Sequence, residues 1–147
     1  MRITPNFSLA EFACKDGTPY PDKWIDERLL PLCETLEVLR VAVGGPITID
    51  SGYRTLEYDT KLYEASKKDG TKAPPTSSQH PKGRAADIRC ALAPHELFNL
   101  TLELYQEGKL PHLGGVGLYP SFVHIDVRPR PNNHLAIWGG SRPNNIA

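Results

Sequence analysis

Phe122-Val123-His124-Ile125-Asp126-Val127-Arg128 alternates apolar and polar residues with a period of two, which predicts a β-strand. Val123, Ile125 and Val127 make one face fit for a core. Phe122, His124, Asp126 and Arg128 share the other face, so an imidazole, a carboxylate and a guanidinium stand in a row that either meets solvent or lines a cleft. Upstream, residues 115–119 predict a partner strand, joined to this one through Pro120-Ser121. Residues 85–90 repeat the alternation: Asp87 shares a face with Ala85 and Arg89, while Ala86, Ile88 and Cys90 point the other way. A carboxylate among small apolar residues needs a partner wherever a sheet buries it. Residues 46–50 read as a half-buried strand, and residues 135–138 add an edge strand.

The helical signals lie mostly earlier. Residues 7–12 predict a short helical turn anchored by Phe7 and Phe12. Leu32, Leu36, Leu39 and Val43 recur at helical spacing, with Pro31 in the first turn and Gly44-Gly45 as the stop. Thr55 caps a second helix running to about Lys68 and ended by Asp69-Gly70, after which residues 71–78 read as an exposed loop. Pro94 opens a third helix with Leu97, Phe98, Thr101, Leu104 and Tyr105 on one face and Gly108 at its end. Early helices followed by closely spaced strands imply an α+β domain with a small antiparallel sheet. A length of 147 residues fits a single domain, 1–147, with one core and one site.

Composition excludes some functions. Lys+Arg (17) equals Asp+Glu (17), so the summed field gives no reason to expect a nucleic-acid partner. No window is apolar enough to span a bilayer, and no membrane partner is expected. Met1-Arg2-Ile3-Thr4-Pro5-Asn6 lacks the apolar core and cleavage site of a secretory signal, which predicts synthesis in the cytoplasm without general secretory export. Cys14, Cys33 and Cys90 lack metal-type spacing, and an odd count argues against a disulfide framework. Cys33 and Cys90 read as small buried apolar residues, and Cys14 as either buried or free.

His80 precedes the 85–90 strand, at a loop-to-strand turn where Gly83 supplies a conformation that other residues resist. His80, Asp87 and His124 together would make a three-ligand site with a water in the fourth position, the open form used in catalytic zinc sites. The spacing alone does not establish this, because H-x(6)-D arises by chance.

Ser78-Gln79-His80-Pro81-Lys82-Gly83-Arg84-Ala85-Ala86-Asp87 carries the pattern Ser-x-His-x-x-Gly-x-Ala-x-Asp. Followed by a strand bearing a second histidine, it resembles the zinc D-Ala-D-Ala carboxypeptidase family, grouped with lysostaphin-type peptidases and the hedgehog signalling domain. Its specified positions match at random at about 10⁻⁶ per start on average residue usage. The segment Asn6 to Cys14 is similar to the opening of phage-type members. Ser51-Gly52-Tyr53-Arg54-Thr55 is similar to their strand-end motif, and Gly114 to Asp126 resembles the murein endopeptidase K branch. The least similar parts are residues 56–77 and the tail after Arg130.

The resemblance implies a small antiparallel sheet carrying a Zn²⁺ site, with helices packed on one side. It makes His80, Asp87 and His124 the metal ligands. Arg54 would address the substrate, either at a terminal carboxylate or at the carbonyl under attack. Ser78 and Gln79 would wall the cleft. It further implies hydrolysis of peptidoglycan stem or cross-link peptides by metal-activated water, as a D,D- or L,D-endopeptidase or a carboxypeptidase. Many relatives place a general base two or three residues before the second histidine ligand, where this chain has Phe122 and Ser121. Asp126 is the nearest substitute, ~6–7 Å from His124 at normal strand rise. Two roles stand open for it: general base, or a group that orients a ligand imidazole or pairs with Arg128 or Arg54. His95, His112 and His134 read as surface residues, and Trp138 either borders the site or packs in the core.

The implied partner is a peptidoglycan peptide, met by a monomer released by a holin or carried on a phage-like particle. The competing reading is a non-catalytic zinc-bearing binding or structural module of such a particle, kept open by the missing upstream base.

Overall fold

In the computed structural model, which describes residues 1–66 and 77–146, the strands in chain order are β1 (Arg2–Thr4), β2 (Phe7–Ser8), β3 (Thr48–Ser51), β4 (Ala85–Arg89), β5 (Gly115–Leu118), β6 (Val123–Asp126) and β7 (Ala136–Trp138). The helices are α1 (Leu30–Val43), α2 (Leu56–Ser66) and α3 (Pro94–Gln106). β1 and β2 form a two-stranded antiparallel ribbon, and the rest form a five-stranded sheet in the order β3-β4-β6-β5-β7. The α+β class stands.

The main sheet is mixed rather than antiparallel, because β7 runs parallel to β5. The reason is topological. After β6 the chain reverses and joins the free edge of β5 rather than that of β3; since β5 is itself antiparallel to β6, the reversed strand runs parallel to β5. The stretch around His124 is also shorter as a strand than its alternation suggests. The carboxylate of Asp126 accepts the backbone N–H of Arg128 at 3.0 Å and turns the chain out of the ladder. The predicted turn at residues 7–12 splits as well. Phe7 and Ser8 pair with β1, and only Leu9–Phe12 forms a 3₁₀ turn, opened by the Ser8 backbone N–H donating to the Glu11 carboxylate at 2.8 Å. The anchors hold: Phe7 and Phe12 are both fully buried, edge to face.

α1 carries Pro31 in its first turn and ends on Gly44 in the left-handed region (φ 77°). Its helical path starts earlier than expected, through short turns at Asp22–Trp24 and Ile25–Leu29. Thr55 caps α2, its hydroxyl accepting the Tyr58 N–H at 3.1 Å. The predicted end of that helix near Lys68 to Gly70, and loop residues 71–76, lie outside the described residues.

Leu32, Cys33, Leu36 and Leu39 of α1 share one core with Leu97, Phe98 and Leu102 of α3. Ala86, Ile88, Val116, Val123 and Ile125 join them from the sheet. Burial of each large apolar side chain contributes about 1.5–3 kcal/mol, so a slip that turned this face outward would be costly. The opposite face, bearing Asp87, His124 and Asp126, is thereby fixed. Cys33 is buried as expected, Cys14 is buried, Cys90 is half-buried, and all three are free thiols. No helix among the described residues is long and apolar enough to cross a membrane.

Candidate metal centre

The sheet register brings two of the predicted ligands together directly: Asp87 of β4 lies opposite His124 of β6. The third, His80, opens the 3₁₀ turn His80–Lys82, closed by Gly83 at φ 70°. A side chain at Gly83 would also meet Tyr20 and Trp24 at 2.7 Å. The turn is tied to the N-terminal part of the chain, since the Tyr20 hydroxyl donates to the Gly83 carbonyl at 2.5 Å and Arg28 to that of Lys82 at 2.7 Å. His80, Asp87 and His124 are all buried, and one ligand atom of each lies within 4.8 Å of the other two.

Hydrogen bonding fixes which atoms converge. His80 Nδ1 lies 2.7 Å from the Gly52 carbonyl oxygen, which can only accept, so Nδ1 carries the hydrogen and Nε2 presents a lone pair. His124 Nε2 lies 2.7 Å from the Asp126 carboxylate, so Nε2–H donates and Nδ1 is the free nitrogen. Both free nitrogens face the same oxygen, Asp87 Oδ1, at 3.2 and 3.3 Å. With both imidazoles neutral, three lone-pair atoms face one another and repel unless a cation lies among them. Burial pushes His80 below its ordinary pKa, opposed by the charge and hydrogen bond of the Asp87 carboxylate. The donor set therefore fits a divalent ion with nitrogen and carboxylate ligands. Burial opposes protonation of His124 too, but hydrogen bonds to Asp126 and Asp87 outweigh it and raise its pKa. Burial likewise raises Asp87, yet the charge and hydrogen bonds of the two imidazoles hold it well below the usual carboxylate range.

Arg54 sits behind the ligand carboxylate. Its Nη2 donates to Asp87 Oδ2 at 3.0 Å, its Nη1 to Asp59 Oδ1 at 3.0 Å, and its Nε to the Ser51 hydroxyl at 3.0 Å. The guanidinium is buried, and each of its three nitrogens makes one of these bonds. It holds Asp87 so that Oδ1 faces the two imidazoles. Asp59, on α2 and fully buried, is a site residue that sequence reasoning missed. A carboxylate five positions after Arg54, in a helix flanked by Glu57 and Lys61, carries no local sign of burial.

Asp126 is fully buried and saturated. Besides His124 it accepts from Arg128, whose Nη2 approaches Oδ2 at 2.6 Å and whose Nε approaches Oδ1 at 2.9 Å. Burial would raise this carboxyl, but His124 and Arg128 together hold it far below the ordinary range. Ser78 and Gln79 are buried against the ligand turn. The Ser78 hydroxyl accepts the His80 N–H at 3.4 Å, and among the described residues Gln79 Oε1 has no hydrogen-bond partner. Trp138 borders the site, its ring tilted 5.0 Å from that of His124 and beneath the Arg128 guanidinium. His95, His112 and His134 are exposed, as expected.

Comparison of the chain with curated proteins finds no match. A family model described as Peptidase M15 matches residues 5–126, a span that holds all three candidate ligands, Arg54 and Asp126 and ends before Arg128 and Trp138. With most of the chain matched and the His-Asp-His cluster assembled, this chain belongs to the peptidase M15 family, of the zinc D-Ala-D-Ala carboxypeptidase type.

Proposed function

We propose that the protein is a zinc-dependent peptidase that hydrolyses peptide bonds in bacterial peptidoglycan stems or cross-links. The observation that carries this reading is the convergence of His80 Nε2, Asp87 Oδ1 and His124 Nδ1, each oriented by a further buried partner. The peptidoglycan substrate is inferred from the M15 motifs at residues 51–54, 78–87 and 114–126. Bound zinc would polarise the scissile carbonyl and lower the pKa of water toward ~7, making hydroxide available near neutrality.

The residues divide the remaining work. Arg54 and the Gly52 carbonyl set the orientations of Asp87 and His80. Asp126 fixes the His124 tautomer, and Arg128 keeps Asp126 ionised. Both Asp126 oxygens are occupied, so we assign it the orienting role rather than that of proton acceptor. Ser78 and Gln79 lie next to the ligand turn.

A second reading, a zinc-bearing binding or structural module of a phage-like particle, is favoured by one observation: a saturated Asp126, with Ser121 and Phe122 where relatives carry a base. Incubating the protein with purified peptidoglycan, with and without chelator and added zinc, separates the two. A peptide product, identified by mass, that vanishes with chelator and returns with zinc supports the peptidase. One bound zinc per chain with no product from walls of several chemotypes overturns it.

A further inference from the structure

We infer that Tyr119 is a catalytic residue, its phenolic O–H donating a hydrogen bond to the oxyanion formed as water adds to the scissile carbonyl. This rests on the peptidase reading above. The placement follows from the sheet. Gly117 lies opposite His124 across β5 and β6, and Tyr119 continues the register opposite Phe122, its N–H donating to the Phe122 carbonyl at 3.1 Å. Alternation therefore puts Tyr119 on the face that bears His124. The two rings of Tyr119 and Phe122 stack at 4.5 Å, which fixes the phenol at the rim.

Trp138 connects this rim to the metal ligands. A Cβ at Gly117 would come within 2.3 Å of the indole, so the missing side chain makes room for Trp138 over His124. From there the indole Nε1–H donates to the Tyr119 hydroxyl oxygen at 3.0 Å. The phenol oxygen is thus an acceptor from Trp138, and its own hydrogen remains to be donated. Among the described residues no acceptor takes it. Tyr119 is half-buried, so a bound peptide can reach it. Burial raises its pKa, with the Trp138 hydrogen bond opposing and the fields of Asp87 and Arg54 acting in opposite senses, so the phenol is a donor at neutral pH. All three nitrogens of Arg54 are tied to Ser51, Asp59 and Asp87, which holds the guanidinium behind Asp87, whereas the Tyr119 hydroxyl keeps its hydrogen uncommitted.

The step balances without transfer from the phenol. The water oxygen bonds to the carbonyl carbon while the C=O π pair moves onto oxygen, where Tyr119 shares its hydrogen. When the C–N bond breaks, that pair re-forms the carbonyl, and the proton lost by water ends on the leaving amine.

The test uses the zinc-loaded full chain and Tyr119→Phe, which keeps the ring stack and removes only the hydroxyl. The phosphinate isostere of D-alanyl-D-alanine, a tetrahedral probe, reports oxyanion recognition by calorimetry independently of turnover. Expected is a ~10²–10³-fold fall in kcat on muropeptides and a parallel fall in phosphinate affinity, with KM, zinc content and melting temperature unchanged. Trp138→Phe, which leaves the phenol without its orienting N–H, is expected to produce a smaller loss in the same two quantities. Wild-type-like kcat and phosphinate affinity in Tyr119→Phe overturn the assignment and leave the peptidase reading intact. A wild-type protein that neither cleaves muropeptides nor binds the phosphinate overturns both.

Discussion

Replacing Asp126 by Asn tests how the centre is built. The change preserves shape but exchanges one carboxylate oxygen for an amide N–H in a fully buried position. Oδ2 receives His124 Nε2–H at 2.7 Å and Arg128 Nη2 at 2.6 Å, and Oδ1 receives the Arg128 backbone N–H and Nε. Either orientation of the amide sets a donor against a donor. If the NH₂ faces Arg128, it meets that guanidinium and charge pairing is lost. If it faces His124, the imidazole must shift its proton to Nδ1, the nitrogen that faces Asp87 Oδ1, and the ligand is blocked. Loss of an outer partner of a ligand histidine lowers metal affinity by about 10–100-fold, which is about 1.4–2.7 kcal/mol. The assay is zinc titration in competition with a chromophoric chelator, paired with kcat at saturating zinc. The orienting role predicts weaker zinc binding and a kcat largely recovered once zinc saturates. Unchanged zinc affinity with kcat reduced ~10²–10⁴-fold, the range of a lost general base, would refute the reasoning.

Arg54→Ala leaves Asp59 and Asp87 buried without their shared cation, and metal-free stability is expected to fall by about 3–5 kcal/mol in urea denaturation; an unchanged midpoint contradicts the structural role of the guanidinium. Zinc at a hundredfold excess over its dissociation constant is expected to stabilise the fold by about 2.7 kcal/mol, a rise of roughly 5–10 °C in melting temperature that a chelator reverses. A melting curve indifferent to chelator would mean the cluster holds no ion. Cys33 is fully buried and burial pushes its thiol up, Cys14 is also buried, and Cys90 is half-buried. Cys90 is therefore expected to react first with a thiol reagent in the native protein, and prompt labelling of Cys33 would contradict the packing of α1.

The placement of the candidate ligands was legible because their setting is local. Alternation in residues 122–128 put His124, Asp126 and Arg128 on one face, and alternation in residues 85–90 put Asp87 on a face apart from Ile88; both hold in the sheet. What stayed hidden depends on long-range geometry. The direction of β7 relative to its neighbour depends on which sheet edge it joins, β5 rather than β3, a property of the whole sheet rather than of residues 135–138. Asp59 and Tyr119 were missed for a related reason. One lies in a charged helix and the other beside Pro120 at a turn, settings that ordinarily face solvent. Arg54 reads from the sequence as a substrate contact, and its hydrogen bond to Asp87 is a pairing that no spacing rule predicts.

The opposition of Asp87 and His124 also has a bearing on how the chain folds. Two strands of alternating pattern can zip in several alignments that all keep the apolar face inward, each differing by two residues. Slipping β4 against β6 by two would set Ala85 or Arg89 opposite His124, and neither can ligate a metal. An ion bound there would act as a proofreader, rewarding one alignment among several that hydrophobic collapse alone treats as near equals. Refolding with zinc present should populate fewer misaligned species than refolding without it.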